Sequence, residues 1–308
     1  MILTVFICVT LAAFIIISLN RAIRFAKMPM HTRWELYPIP REKGRGEYGG
    51  SYYEEELWWQ KPREISLGGE LAEMLKEMLF IKRLFDHQRP LWWLSYALHL
   101  GIYLLICWGI LLFLGGLTVK AGFPVGPGEG LWSGFLYYLT LLTGGIGGLL
   151  VAIGSFSLLV RRMTDASLQF YSTPQDYFNL VFILAVAVTG LFLWSADPNF
   201  TGARELAATL LSLEPIPAGG LLAVHLVLLG CLLIYIPSSK MSHYVGKYFT
   251  YHKVLWENEP NLPGSAIMKA VEAAQGRKPA VNWSAPHFQV GQNTQESVTG
   301  QGEGGTGK

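Results

Sequence analysis

The sequence predicts an all-α membrane protein: a bundle of five transmembrane helices, with a large insert between the first and second and a tail after the fifth. Three observations predict it. The 308-residue chain is 51% hydrophobic and only 15% charged, and its apolar residues gather in blocks too long for the core of a soluble domain. Five blocks, roughly 2–22, 91–118, 131–160, 177–196 and 217–237, approach or exceed the ~20 apolar residues that a helix needs to cross the hydrocarbon core. The basic residues are distributed with a strong bias between the loops that join them.

The first block has no positive residue before its apolar run, and Arg21, Arg24 and Lys27 follow it, so it reads as a retained anchor with its N-terminus outside. Alternating from there places 23–90, 161–176 and 238–308 inside. With boundary residues given to the nearer loop, those segments hold 22 of the 24 Lys and Arg, leaving Lys120 and Arg204 outside. That bias predicts a multi-pass protein of the cytoplasmic (inner) membrane with a cytoplasmic C-terminus. Trp92, Trp93, Trp132 and Trp194 stand at span boundaries, as interfacial anchors do. The net charge of +2 reflects this topology and gives no sign of a nucleic-acid partner. Cys8, Cys107 and Cys231 all fall in predicted spans without CxxC spacing, so neither an iron–sulfur cluster nor a disulfide is expected.

The expected organisation is a first transmembrane helix (1–25), a cytoplasmic insert (26–90), a four-helix core (91–240), a cytoplasmic docking segment (241–290) and a disordered tail (291–308). The insert begins HTRWELYPIPREKGRGEYGGSYYEEELWWQKPRE, an aromatic and Pro/Gly-rich stretch expected to form an ordered irregular loop. It continues GELAEMLKEMLFIKRLF, where Leu71, Met74, Leu75, Met78, Leu79 and Phe85 lie near one face with charges opposite. That pattern predicts a helix lying on the membrane surface or on a partner. The third span carries Gly144, Gly145, Gly147, Gly148 and Gly154, which suit close helix packing or the approach of a flat cofactor. A basic aromatic stretch, HYVGKYFTYHKVLW, and the segment NWSAPHF follow the fifth span. The final residues are rich in Gly, Gln and Thr.

Ionisable residues in a bilayer are expensive, so each intramembrane histidine is a functional hypothesis. Of seven histidines, His99 and His225 lie within apolar spans and His243 just past the fifth. His225 and His243 are 18 residues apart, which in a continuous helix is five turns, about 27 Å, on one face; Pro237 between them predicts a kink. His99 comes from the second span, which runs the other way. Two neighbouring helices are therefore expected to clamp a metal from both sides at the cytoplasmic level through His99 and His243, the arrangement that bis-histidine ligation of a b-type haem needs. Simple hydrogen bonding between helices is the alternative. His87 competes with His99 as partner of His243, whereas His31, His252 and His287 read as loop or interface residues. Arg89, Arg161, Arg162 and Lys240 cluster at the cytoplasmic ends of the spans, where they could pair with haem propionates or simply enforce topology.

The fifth span, HLVLLGCLLIYIPSSKMSH, resembles the last helix of the respiratory nitrate reductase gamma subunit, with two histidines at the same separation and Pro, Ser and a basic residue between them. GGLLVAIGSFSLLVRRMTDASLQFYSTPQDYFNLVF matches that family's pattern around the inner loop, so the likeness covers about 150 residues from the second span onward. The resemblance implies haem b held by His99 and His243. It also implies a second ligand ten residues after His99, where this chain has Gly109, with only Cys107 nearby. One haem is therefore expected and a second is left open, with His225 as its possible ligand, part of a quinone site, or a relic. RWELYP, YGGSYYEE, KYFTYHKV and NWSAPHF resemble the branch of membrane cytochromes that serves iron–sulfur proteins similar to the heterodisulfide reductase catalytic subunit.

The resemblance implies an electron-transfer subunit of an anaerobic respiratory complex, linking membrane (mena)quinone to a cytoplasmic iron–sulfur partner, with membrane lipid around it. A periplasmic cytochrome c is a further partner left open, although the outer loops offer little surface. The rivals are a haem-free membrane anchor and a transporter. The latter would be expected to carry mid-membrane carboxylates, and the second to fifth spans have no Asp or Glu near their centres.

Overall fold

The structure, a computed structural model, describes residues 1–27, 56–57, 66–217, 219–250 and 263–275. Regular structure among them is entirely helical: α1 (Ile2–Ala26), α2 (Leu67–Phe80), α3 (Lys82–His87), α4 (Arg89–Lys120), α5 (Leu131–Thr164), α6 (Ala166–Tyr171), α7 (Pro174–Ala196), α8 (Thr201–Leu211), α9 (Gly220–Ser238), α10 (His243–Thr250) and α11 (Ala266–Gln275). Five of these, α1, α4, α5, α7 and α9, are long and apolar enough to cross a membrane, which makes this a helical multi-pass membrane protein. The aromatic half of the insert, the NWSAPHF segment and the terminal tail lie outside the described residues.

The helices outrun their apolar cores because their ends are capped. Pro90 stands in the first turn of α4, where its missing N–H costs nothing. The Thr173 N–H donates to the Asp176 carboxylate at 2.8 Å and Pro174 opens α7, three residues before the apolar block. The insert helix also differs from a single amphipathic rod. Ile81 takes a left-handed backbone (φ 52°) that separates α2 from α3, and α2 buries Gly69, Met74 and Glu77 while Leu71, Leu75 and Leu79 remain exposed.

Successive membrane helices alternate in direction. The start of α1 meets the chain before α9 through Thr4, whose hydroxyl donates to the Glu214 carbonyl (2.9 Å) and accepts from the Ile216 N–H (3.1 Å). At the other end Tyr177 of α7 donates to the Arg162 carbonyl of α5, and Lys240 after α9 reaches Asp176 of α7. This second end carries Arg21, Arg89, Arg161 and Arg162 and is called the basic end below.

Lateral packing runs α1–α9–α7–α5–α4, with α8 covering the far end of α4. There is no extensive backbone packing between α4 and α9. The tightest contact is α4 on α5, and glycines make it possible. A Cβ at Gly154 would lie 2.5 Å from the Leu98 backbone nitrogen, and one at Gly101 would lie 2.7 Å from that of Val151. The glycines of α5 therefore serve helix packing, the first of the two roles their spacing suits. Leu98, Val151, Leu180 and Ala187 form the buried cluster around this seam.

The fifth span ends sooner than a continuous helix to His243 requires. Pro237 removes one helical N–H, Ser239 adopts an extended backbone, and its hydroxyl accepts from the Met241 N–H to open a single 3-10 turn, Lys240–Ser242. His243 then begins α10.

A candidate bis-histidine cofactor site

His99 and His243 meet at the basic end with ring centroids 6.1 Å apart and ring planes at 66°. His99 Nδ1 lies 2.7 Å from the Ser95 carbonyl one turn earlier in α4. A carbonyl only accepts, so Nδ1 carries the proton and the Nε2 lone pair is left for a metal, the tautomer that a hydrogen-bonded ligand histidine uses. Although His243 retains accessible surface, burial by its neighbours and then the adjacent His99 hold it below the ordinary imidazole pKa, so it is neutral near pH 7. A neutral ring is what ligation requires.

The spacing fits one ion between the rings. Two imidazoles ligating from opposite sides through bonds of about 2.0 Å, as at zinc, have centroids roughly 6 Å apart, since each nitrogen lies about 1 Å from its ring centre. Direct hydrogen bonding between the rings would draw them closer. The residues present thus fit a bis-imidazole haem, and the absence of extensive α4–α9 packing leaves the macrocycle free of a helix–helix seam. Among the described residues no group of three or more His, Cys, Asp or Glu forms a metal cage, so the two-imidazole arrangement is the candidate.

Because α9 stops at Ser238, His243 is positioned by tertiary ties rather than by helical register. Lys240 Nζ binds Thr173 (3.0 Å) and Asp176 (3.3 Å) of α7. From α1, Arg21 donates to the Ser242 hydroxyl at 2.6 Å, Ser18 lies 2.6 Å from the Tyr244 hydroxyl, and Phe14 stacks on the Tyr244 ring. From α2, the Glu77 carboxylate, nearly fully buried, pairs with Lys247 Nζ at 2.7 Å. One turn beyond His99, Tyr103 donates to the Met78 carbonyl at 2.7 Å, and the Trp92 indole donates to that of Phe80. Sequence reasoning missed Arg21, Glu77, Tyr103 and Lys247. The four-residue steps from His99 to Tyr103 and from His243 to Lys247 were the only visible signal.

The other predicted site residues lie elsewhere. His225 faces α7: its Nδ1 is 2.9 Å from Thr189 Oγ1, and a Cβ at Gly190 would lie 3.1 Å from its Cε1. No second imidazole comes from α4 at this level, where a Cβ added to Gly109 would meet nothing within 4 Å. The far end of α4 is instead covered by α8, with Gly116 against Ala207 and Ala208 and Gly115 against Arg204. Arg204 and Trp108 each bury a donor nitrogen without a hydrogen-bond partner among the described residues. Both adjoin aromatic rings, Arg204 5.5 Å from the Tyr137 centroid and Trp108 edge-on to Phe200 at 5.3 Å. Rings of this kind accept weakly from such donors.

The arginines expected at propionates have local partners. Arg89 lies over the Phe85 ring at 4.0 Å, Arg161 pairs with Asp165 at 2.8 Å, and Arg162 donates to Ser172 at 2.6 Å. His87 is exposed on α3, with Nδ1 2.8 Å from the Arg83 carbonyl, whereas His99 is the ring that faces His243. His31, His252 and His287 lie outside the described residues. Cys8, Cys107 and Cys231 are free thiols. Comparison with protein-family models, curated proteins and solved structures finds no match to this chain.

Proposed function

We propose that this chain is the haem b-binding membrane subunit of an anaerobic respiratory complex, with His99 and His243 as the axial ligands of one haem. The observation that carries the reading is the facing pair of imidazoles, 6.1 Å between centroids, with His99 oriented by the Ser95 carbonyl. When bound, a six-coordinate haem would supply one-electron transfer rather than oxygen chemistry. The chain's own residues do the rest. Ser95 holds the His99 tautomer, the α4–α5 glycine seam sets the height of His99, and ties from α1, α2 and α7 set His243.

The reading extends to orientation and partners. The basic end faces the cytoplasm, following the charge bias of the loops, so the insert and C-terminal segment lie there too. With only three cysteines, spread over three membrane helices, the chain has no cluster ligands of its own. Its electron partner is therefore a separate cytoplasmic iron–sulfur protein, resembling the heterodisulfide reductase catalytic subunit, and its membrane partner is a quinone of the menaquinone type. We assign one haem, because Gly109 stands where a second α4 ligand is needed and His225 bonds Thr189. His225 is then the residue to examine for a quinone.

A reduced-minus-oxidised spectrum of the purified full-length protein tests the central assignment. A b-type α band, with one haem per chain by pyridine hemochrome, is the expected result. A folded, colourless protein would refute it and favour the haem-free anchor. Redox titration with quinol analogues tests the quinone assignment independently.

A further inference from the structure

The insert helix α2 places one buried carboxylate against the helix that carries His243. Glu77 is 5% exposed at its side chain, and both of its oxygens are used: Oε1 pairs with Lys247 at 2.7 Å and Oε2 accepts the Arg83 N–H at 2.8 Å. Lys247 is one turn after His243 in α10, so the two side chains share a helix face. On the other flank, Tyr103, one turn from His99, bonds the Met78 carbonyl next to Glu77. The same short stretch of α2 thus braces both ligand helices. Among the described residues the other ion pairs at this end are more exposed: Glu73 with Lys76 and Lys82, Arg161 with Asp165, and Lys240 with Asp176.

We propose that Glu77 and Lys247 form a charge clamp through which the insert between the first two spans positions His243 and tunes the potential of the cofactor held there. Glu77 and Lys247 are positioning residues, and this inference rests on the haem reading above. The electrostatic consequence has a definite sign. A nearby anion disfavours adding an electron and a nearby cation favours it, so the paired charges oppose one another at the site. Glu77→Gln leaves the Lys247 cation uncompensated and raises the midpoint potential. Adding Lys247→Gln removes that cation and returns the potential toward wild type. A unit charge one turn from a ligand, acting at an effective dielectric near ~20, shifts the reduced-to-oxidised ratio on the order of tenfold, which is about 59 mV for one electron.

The experiment is a spectroscopic redox titration of the full-length wild type, Glu77→Gln, and Glu77→Gln/Lys247→Gln, with Glu73→Gln as a charge-matched control on α2. The expected result is an upward shift in the single variant, return in the double, and no change in the control. A potential unmoved in Glu77→Gln, or a double variant that stays with the single, overturns the clamp. A structural prop alone would give the same shift in single and double variants. If Glu77→Gln does not fold, the double variant, which buries no unpaired charge, is read by ferric EPR. A changed axial-ligand signature supports the clamp, and an unchanged one refutes it. A wild type with no b-type band defeats the haem reading itself, a different outcome from haem that is bound but indifferent to Glu77.

Discussion

The seam between α4 and α5 sets the position of His99, and Gly154→Ala perturbs it at its tightest point. The added Cβ would lie 2.5 Å from the Leu98 nitrogen, 2.8 Å from its Cα and 2.9 Å from its Cβ. Two of those three atoms are backbone, so no rotamer change relieves the overlap. Ordinary contact begins at 3.4 Å, and the helices must separate by about 0.9 Å beside the residue preceding His99. Overpacking of this kind costs about 1–3 kcal/mol. Gly134→Ala, on the same helix, is the control: its Cβ meets nothing within 4 Å, and replacing a helical glycine by alanine is neutral or stabilising by up to about 1 kcal/mol. The assay is thermal unfolding in detergent followed by far-UV circular dichroism, with the haem band recorded on the same samples. Gly154→Ala should unfold earlier and bind haem more weakly, whereas Gly134→Ala should do neither. Equal stability of the two variants would refute the argument that glycine at this seam places His99.

Further expectations follow from the same geometry. His99→Ala and His243→Ala each abolish the b-type α band, whereas His87→Ala and His225→Ala retain it with one haem per chain, measured by difference spectra and pyridine hemochrome. Thr4→Val removes both a donor to Glu214 and an acceptor for the Ile216 N–H from a residue that is 2% exposed, costing about 1–3 kcal/mol in denaturant unfolding. His243 is held below its ordinary pKa, so an unfolded chain takes up a proton there before the folded one does. Its share of stability is complete above the ordinary imidazole value of about 6.5 and is lost as pH falls through the lower folded value. Acid unfolding of the haem-free protein should therefore show a His243-dependent loss of stability as pH falls below about 6.5, and a His243→Ala variant with the same acid profile would contradict this.

The five spans were legible because the hydrocarbon core demands a minimum run of apolar residues and nothing else in the chain meets it. Their ends were not, since Pro90 and the Thr173–Asp176 bond extend α4 and α7 beyond the apolar blocks. The meeting of His99 and His243 followed from helix direction and depth. The faces of α2 did not: the pattern grouped Leu71, Met74, Leu75, Met78 and Leu79 and put the charges opposite. Burial chose Met74 and Glu77 and left the leucines out. The reason is that Lys247, the partner that makes burial of Glu77 tolerable, is 170 residues away in sequence. Periodicity within a helix carries no information about such a partner.

The break after Ser238 changes what controls the position of His243. In one unbroken helix from His225, the position of His243 would be set by register, and only rigid movement of that helix could shift it. With an extended residue at Ser239 and a 3-10 turn between, register is lost and the ring is set by whatever grips residues 240–247. Those grips come from three directions: Asp176 of α7 on Lys240, Arg21 and Ser18 of α1 on Ser242 and Tyr244, and Glu77 of α2 on Lys247. Two of the three belong to the part of the chain before α4, which supplies neither histidine. The first helix and the insert are therefore coupled mechanically to the candidate cofactor site, and a change bound or imposed there has a short path to His243.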